Sequence, residues 1–384
     1  MTRVEVNQHV LDWAIERSGK PLGLLQRKFP KIRQWQKGGD RPTLRQLEEL
    51  AKATLTPLGY FFLGAPPEEK LPIPHFHTLG DGGLARPTPN LLETVQIMER
   101  RQAWMREFLV DEGNERRSFV RSASINDESQ EVARDMRRTL GLAEGWAGEY
   151  ITWTEALRSL EAASEEAGIM VVVNGIVENN TRRKLDVAEF RGFVLVDDYA
   201  PLVFVNGADG KAAQMFTLAH ELAHVWLGSS AAFDLRELQP ANDRTELACN
   251  RVAAEFLVPE AQLRASWPAL RRDAEPFQAI ARQFKVSSLV GARRALDLQL
   301  ISKREFLDFY GEYQEDERRA AAKKPEGGDF YATQNLRIGR RFAQAVVQAA
   351  SEGRLLYRDA YQLTGLYGKT FASYAESLGT GGPE

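Results

Sequence analysis

Cysteine is almost absent from this chain: one residue, Cys249, in 384. A lone thiol cannot close an internal disulfide, and a bridge-free chain fits a reducing compartment. Histidine is nearly as sparse, with five in all, so two in register carry information. No run of eighteen apolar residues occurs and the first residues lack an apolar signal core. The expectation is a cytoplasmic protein with no membrane partner. Charge of one sign is lacking too. Fifty Lys and Arg face 53 Asp and Glu, a net charge of −3, so any contact with nucleic acid must be a local basic patch. There is no internal repeat and no low-complexity block.

What is present is an ordinary globular composition, 43% apolar and 27% charged, in a chain long enough for two or three domains. Residues 4–63 read as short helices. Val6, Val10, Trp13, Ala14 and Ile15 follow one helical face up to Gly19, and Pro42-Thr43 opens a second helix with Leu44, Leu47, Leu50 and Ala51 at helical spacing. Between them Arg27, Lys28, Lys31, Arg33, Lys37 and Arg41, with Arg45 just beyond, face one acid, Asp40. Six prolines and four glycines over 64–90 predict a linker, which includes His75 and His77. Helices are expected at 91–112, 128–141 and 153–167. The β-branched runs 168–177, 190–198 and 201–206 read as strands of a small sheet. More helices follow to about 310, then a second linker through Lys323–Gly328, and a small helical tail over 329–384. Arg337, Arg340, Arg341 and Arg354 lie beside apolar positions in that tail and suit packing or a partner. The predicted class is α+β: an all-α N-terminal domain (1–63), a linker (64–90), a central domain of small sheet plus helices (91–310), a second linker (311–328) and the helical tail.

Chemistry concentrates in "MFTLAHELAHVWLG", residues 215–228. Four residues along a helix is 400° of rotation, so His220 and His224 project from one face and can reach a single ion. Zinc accepts such nitrogen ligands, and a catalytic zinc takes three protein ligands and keeps a place for water. Glu221, 100° further round, can approach that water and take its proton. Two helix-face histidines can also be hydrogen-bonded core residues. A chance His-Glu-x-x-His is expected in roughly one such chain in two hundred. The flanking Met215, Phe216, Leu218, Leu222, Val225 and Leu227 make the helix apolar nearly all round, and a buried helix needs a partner for its polar groups.

No histidine lies downstream, so a carboxylate must supply the third ligand. Glu246 and Glu255 are both on offer in "NDRTELACNRVAAEFLVPE". Glu246 has a competing role, since Asp243-Arg-Thr-Glu246 fits a capping box; Glu255 could sit on a solvated face. Geometry favours Glu246, and Asn250, one turn further on, could hydrogen-bond a ligand from behind.

These two segments together resemble the ImmA/IrrE metallopeptidases, whose pattern is His-Glu-x-x-His followed by a second helix of the form ExxxN/DxFAAxxLMP. The resemblance covers roughly 150–300. It implies a zincin-like fold, zinc on His220, His224 and Glu246, and Glu221 as general base. Cys249, Val252 and Val258 depart from the family's commoner Ala, Phe and Met, changes of packing that leave the chemistry intact. The "PLVFVN" strand could pair with an extended substrate by edge addition. The N-terminal sixty residues resemble an XRE-type helix-turn-helix, with Lys31, Arg33, Gln34 and Lys37 as DNA contacts on its second helix. Pro30 at the turn departs from that pattern, and a fold kept for protein contacts is the alternative. Residues 279–296 also look like a helix-turn-helix, though in this family such a piece completes the peptidase domain.

The resemblance implies a regulatory zinc endopeptidase that cleaves a repressor or antitoxin-like protein, itself conceivably a helix-turn-helix protein, with operator DNA as a second partner. The rival reading is a DNA-binding antitoxin or regulator that neutralises a cognate toxin and cleaves little. Helix-turn-helix domains of this kind often work as homodimers, although no coiled-coil seam demands one.

Overall fold

The structure is a computed structural model that describes residues 3–69, 87–228, 232–233, 244–315 and 330–379. These fall into two units that divide at Val95 and Gln96. His75, His77, Asp243 and residues 316–328 of the second expected linker lie outside the described residues, and 311–315, expected to open that linker, instead continue the helix Lys303–Glu315.

In the first unit, α1 (Gln8–Arg17) starts where the Asn7 side chain accepts the His9 N–H at 2.9 Å. It ends before Gly19, whose φ of +62° suits glycine. The short α2 (Leu22–Lys28) and α3 (Ile32–Gln36) follow, with Pro30 in the turn between them. α4 (Leu44–Thr54) opens on a reciprocal capping box between Thr43 and Gln46. The core is apolar: Val10, Leu11, Ala14, Leu25, Phe29, Ile32, Trp35, Leu47, Leu50 and Phe61. Ile32 and Trp35 point inward, which leaves Lys31, Arg33, Gln34 and Lys37 on the exposed side of α3.

α5 (Pro89–Asp111) spans the division. The second unit continues with α6 (Ser129–Thr139) and α7 (Trp153–Ala167), the latter opened by a Thr152–Glu155 capping box. The apolar run at 168–177 does not form one strand. It gives β1 (Met170–Asn174), breaks at Gly175, and continues as β2 (Ile176–Val177). A Cβ on Gly175 would stand 2.8 Å from the Ala208 nitrogen, so the chain can turn there only as glycine. β2 pairs with β3 (Asn180–Lys184), a polar, mostly exposed strand that has no apolar signal in the sequence.

β4 (Gly192–Leu195) and β5 (Leu202–Asn206) follow, and β6 (Ala232–Phe233) completes a sheet in the order β1-β5-β4-β6. β5 lies parallel to β1 and antiparallel to β4. The expectation that its "PLVFVN" run offers an edge to substrate is therefore wrong: both its ladders are taken. Its five consecutive buried residues are the mark of an interior strand.

α8 (Lys211–Leu227) lies against β4 and β5 and closes at Gly228, φ +74°. α9 (Arg244–Leu257) packs on α8, and α6 on α9. Then come α10 (Glu260–Leu270), α11 (Pro276–Phe284), α12 (Ser288–Asp297) and α13 (Lys303–Glu315). Ile280, Phe284, Ala292 and Ala295 of α11 and α12 join the same core as Leu218 and Leu222 of α8. This helix pair thus builds the central domain.

The tail forms α14 (Phe330–Ile338), α15 (Arg340–Ser351), α16 (Tyr357–Thr364) and α17 (Gly368–Ser377). α14 packs beside β1. Arg101 of α5, 2% exposed, donates to the carbonyls of Leu363 at 2.9 Å and Arg337 at 3.0 Å, and so ties the tail to α5. Three of the tail arginines make internal bonds: Arg337 to Asn179, Arg341 to the Glu165 carbonyl, and Arg354 to Glu112.

Candidate metal centre

The motif lies on the inner face of α8, where every residue from Gln214 to Trp226 is buried. His220 and His224 are wholly shielded, with ring centroids 4.8 Å apart and their Nε2 atoms 3.0 Å apart. Glu246 reaches across from the first turn of α9. One carboxylate oxygen stands 3.2 Å from His220 Nε2 and the other 3.2 Å from His224 Nε2. All three donors lie within 4.8 Å of one another. Its carboxylate faces the histidines, while Asp243, the other half of the capping box considered for it, lies outside the described residues.

Glu255, the alternative ligand, is elsewhere, and it does not occupy a solvated face either. It is 4% exposed and paired with Arg294, and it accepts the Glu260 N–H at 3.3 Å. Arg137 holds the carbonyls of Glu255 and Phe256 at 3.0 and 3.2 Å. Glu255 thus fixes the junction of α9 and α10. Burial still pushes its carboxyl up, against the pull of Arg294.

Asn250 occupies the place expected for it: its Oδ1 stands 3.1 Å from His220 Nδ1. Accepting from Nδ1–H leaves the His220 Nε2 lone pair directed at the centre. Burial lowers the His220 pKa even though Glu246 pulls it up, so the ring favours its neutral, ligating form. For Glu246 burial acts upward, but the two imidazoles outweigh it and hold the carboxyl well below its usual range.

Glu221 is the group left over. It is 0% exposed, and among the described residues neither carboxylate oxygen has a hydrogen-bond partner; His224 Nδ1 also lacks one there. Burial, and then the charge of Glu246, raise its pKa far above that of a free carboxyl. Buried polar groups are normally satisfied, and here the orphans surround two nitrogens and a carboxylate that converge on one point. That donor set fits zinc: two imidazoles, one in its neutral form by burial, and an ionised carboxylate.

Gly192 on β4 was not singled out in the sequence. A Cβ there would stand 2.5 Å from Thr217 Cγ2, 2.8 Å from the Phe204 carbonyl and 3.3 Å from Glu221 Oε1. Glycine is what lets the strand lie against Thr217 and the β5 backbone beside the glutamate. The signal was available, because a glycine inside the apolar run "FRGFVLV" marks close backbone approach.

Lys31, Arg33, Gln34 and Lys37 are exposed in the first unit, and only the Lys31 ammonium has an ion partner among the described residues, Asp40 at 2.9 Å. No helix among the described residues is long and apolar enough to cross a membrane.

Comparison with known proteins gives two family-level matches. Residues 338–377, from the end of α14 through α17, match a domain of unknown function. No curated protein and no solved structure matches the chain. Residues 164–296, which hold the sheet, α8 and α9, match the family described as the IrrE N-terminal-like domain, and the match supports a metallopeptidase-type domain in this part of the chain.

Proposed function

We propose that the protein is a regulatory zinc-dependent endopeptidase acting on a repressor or antitoxin-type protein. The observation that carries this reading is the meeting of His220 Nε2, His224 Nε2 and the Glu246 carboxylate beside a glutamate with no hydrogen-bond partner among the described residues. His220, His224 and Glu246 would hold a zinc ion, which would supply Lewis acidity and ease deprotonation of a nearby water. Glu221 takes that proton on its carboxylate and later delivers it to the departing amine nitrogen. Asn250 keeps His220 in one tautomer throughout. Lys31, Arg33, Gln34 and Lys37 would bring the peptidase to operator DNA or to a helix-turn-helix partner.

One observation favours a second reading. His220, Glu221 and His224 are completely shielded, as suits a protein that binds a cognate toxin or partner and cleaves little. Incubation with the products of adjacent genes separates the two. A new fragment that vanishes with chelator supports the peptidase, and a stable stoichiometric complex without fragments supports the binding protein. A gel shift on the chain's own upstream DNA tests the first unit separately.

A further inference from the structure

The first unit holds a cavity of about 370 Å³ between the turn joining α2 to α3, α3 itself and the first two turns of α4. That is the size at which a site takes in a whole small molecule. Phe29, Pro30 and Trp35 give it an apolar wall, with the two aromatic rings 6.2 Å apart. Pro30, the residue that departs from the helix-turn-helix pattern, lies in that wall. The polar side carries Lys28, Lys31 and Arg45 against a single acid, Glu49. Lys28 pairs with Glu49 at 3.1 Å and Lys31 with Asp40 at 2.9 Å, while Arg45 makes no ion pair among the described residues. Thr43, the N-cap of α4, also lines the cavity, so the positive end of that helix adds to the pull on an anion. Trp35 contributes a donor. It is 4% exposed, and its Nε1–H has no acceptor among the described residues, whereas a buried indole N–H normally has one.

We propose that this cavity is a binding site for a small aromatic acid, its ring against Phe29, Pro30 and Trp35 and its acidic group taking hydrogen bonds from Arg45 and the Trp35 indole. Surplus cations, a helix N-terminus and a donor without an acceptor all favour an anion, and the flat apolar wall favours a ring. A DNA phosphate is the rival occupant, because Lys31 also belongs to the exposed face proposed to meet DNA. A backbone phosphate brings charge and sugar but no ring to fill the apolar wall. The site owes nothing to the peptidase reading and stands or falls without it.

The test uses the full chain with isotope-labelled nitrogen in its seven tryptophans and follows their indole N–H resonances. Naphthoate, and separately inorganic phosphate at matched ionic strength, is titrated in. The Trp35 resonance is the one missing from Trp35→Phe or, should that variant unfold, the one that exchanges magnetisation with the Phe29 ring. Naphthoate should shift it saturably, half-complete below about 1 mM. Arg45→Gln, a change at an exposed position that should leave the melting temperature alone, should weaken that binding by about 10-fold or more. The absence of a saturable shift up to about 10 mM naphthoate overturns the proposal, as does equal affinity in Arg45→Gln. Phosphate that moves the Trp35 resonance as strongly as naphthoate also overturns it, and points instead to the backbone of DNA.

Discussion

Each residue of the centre has one task, and single substitutions should separate them. Glu221→Gln keeps shape and hydrogen-bonding capacity but cannot take a proton. It should leave zinc content unchanged while lowering cleavage by about 10²–10⁴-fold, the usual worth of a positioned general base. Asn250→Ala should retain the fold and weaken zinc by about 10–100-fold, because the His220 ring loses the partner that fixes its tautomer. Metal content measured after dialysis against a graded chelator checks both, and zinc held equally by wild type and Asn250→Ala would contradict the second. Gly192→Ala tests packing. Its methyl group would meet the Phe204 carbonyl, a backbone atom that cannot swing aside. The melting temperature should fall by an amount matching about 1–3 kcal/mol, with activity lost as β4 is pushed off Glu221. The His-Glu-x-x-His spacing made three of these residues legible. Choosing Glu246 over Glu255 needed the fold, because a helix-borne carboxylate reads the same in sequence whether it meets two imidazoles or an arginine.

Between elements, buried charge decides how the fold responds to pH. Glu161 and Glu165 of α7 are pushed up to about 7, in both cases chiefly by burial. Lys211 at the start of α8 pulls Glu161 back, and the amides of Arg340 and Arg341 at the start of α15 do so for Glu165. Both carboxyls bind a proton more tightly folded than unfolded. Their stabilising contribution is complete below the unfolded value near 4.5 and is lost as pH rises towards 7. Denaturant midpoints should therefore fall between pH 5 and pH 7.5, by about 2 kcal/mol after allowance for the partial exposure of Glu165. Glu161→Gln should flatten that fall, and an identical slope in the variant would contradict the assignment. At this scale the sequence was a fair guide to helices with caps of their own, such as α4 and α7, whose Thr43 and Thr152 are written locally. It was blind to β3, whose Asn180-Thr181-Arg182-Arg183-Lys184 has no apolar alternation and pairs only because Gly175 turns the chain. It also misjudged β5, since an apolar run shows that a strand is buried but not whether its edges are free.

For the whole molecule, the metal should act as a stabiliser of the second unit. Groups that converge only in the folded chain would bind zinc there and not in the unfolded state, so stability should rise by RT ln(1 + [L]/Kd), about 4 kcal/mol at a thousandfold excess over Kd. Chelation should lower the melting temperature of the transition that loses the signals of Trp146, Trp226 and Trp267, all in the core around α8 and α9. A melting curve indifferent to both chelator and zinc would contradict a resident ion.

The sequence by itself determined what depends on near neighbours: the α+β class, the first helices with their caps, and two histidines with a glutamate on one helical face. Local periodicity and spacing suffice there because the interacting groups are a turn apart. The tertiary structure decided what depends on groups far apart in the chain. It brought Glu246 to the histidines, took Glu255 to Arg294, laid α14 beside β1, and set β6 on the edge of β4. Those outcomes follow from which buried surfaces and unpaired backbone groups can satisfy one another in space, and no short stretch of sequence records that.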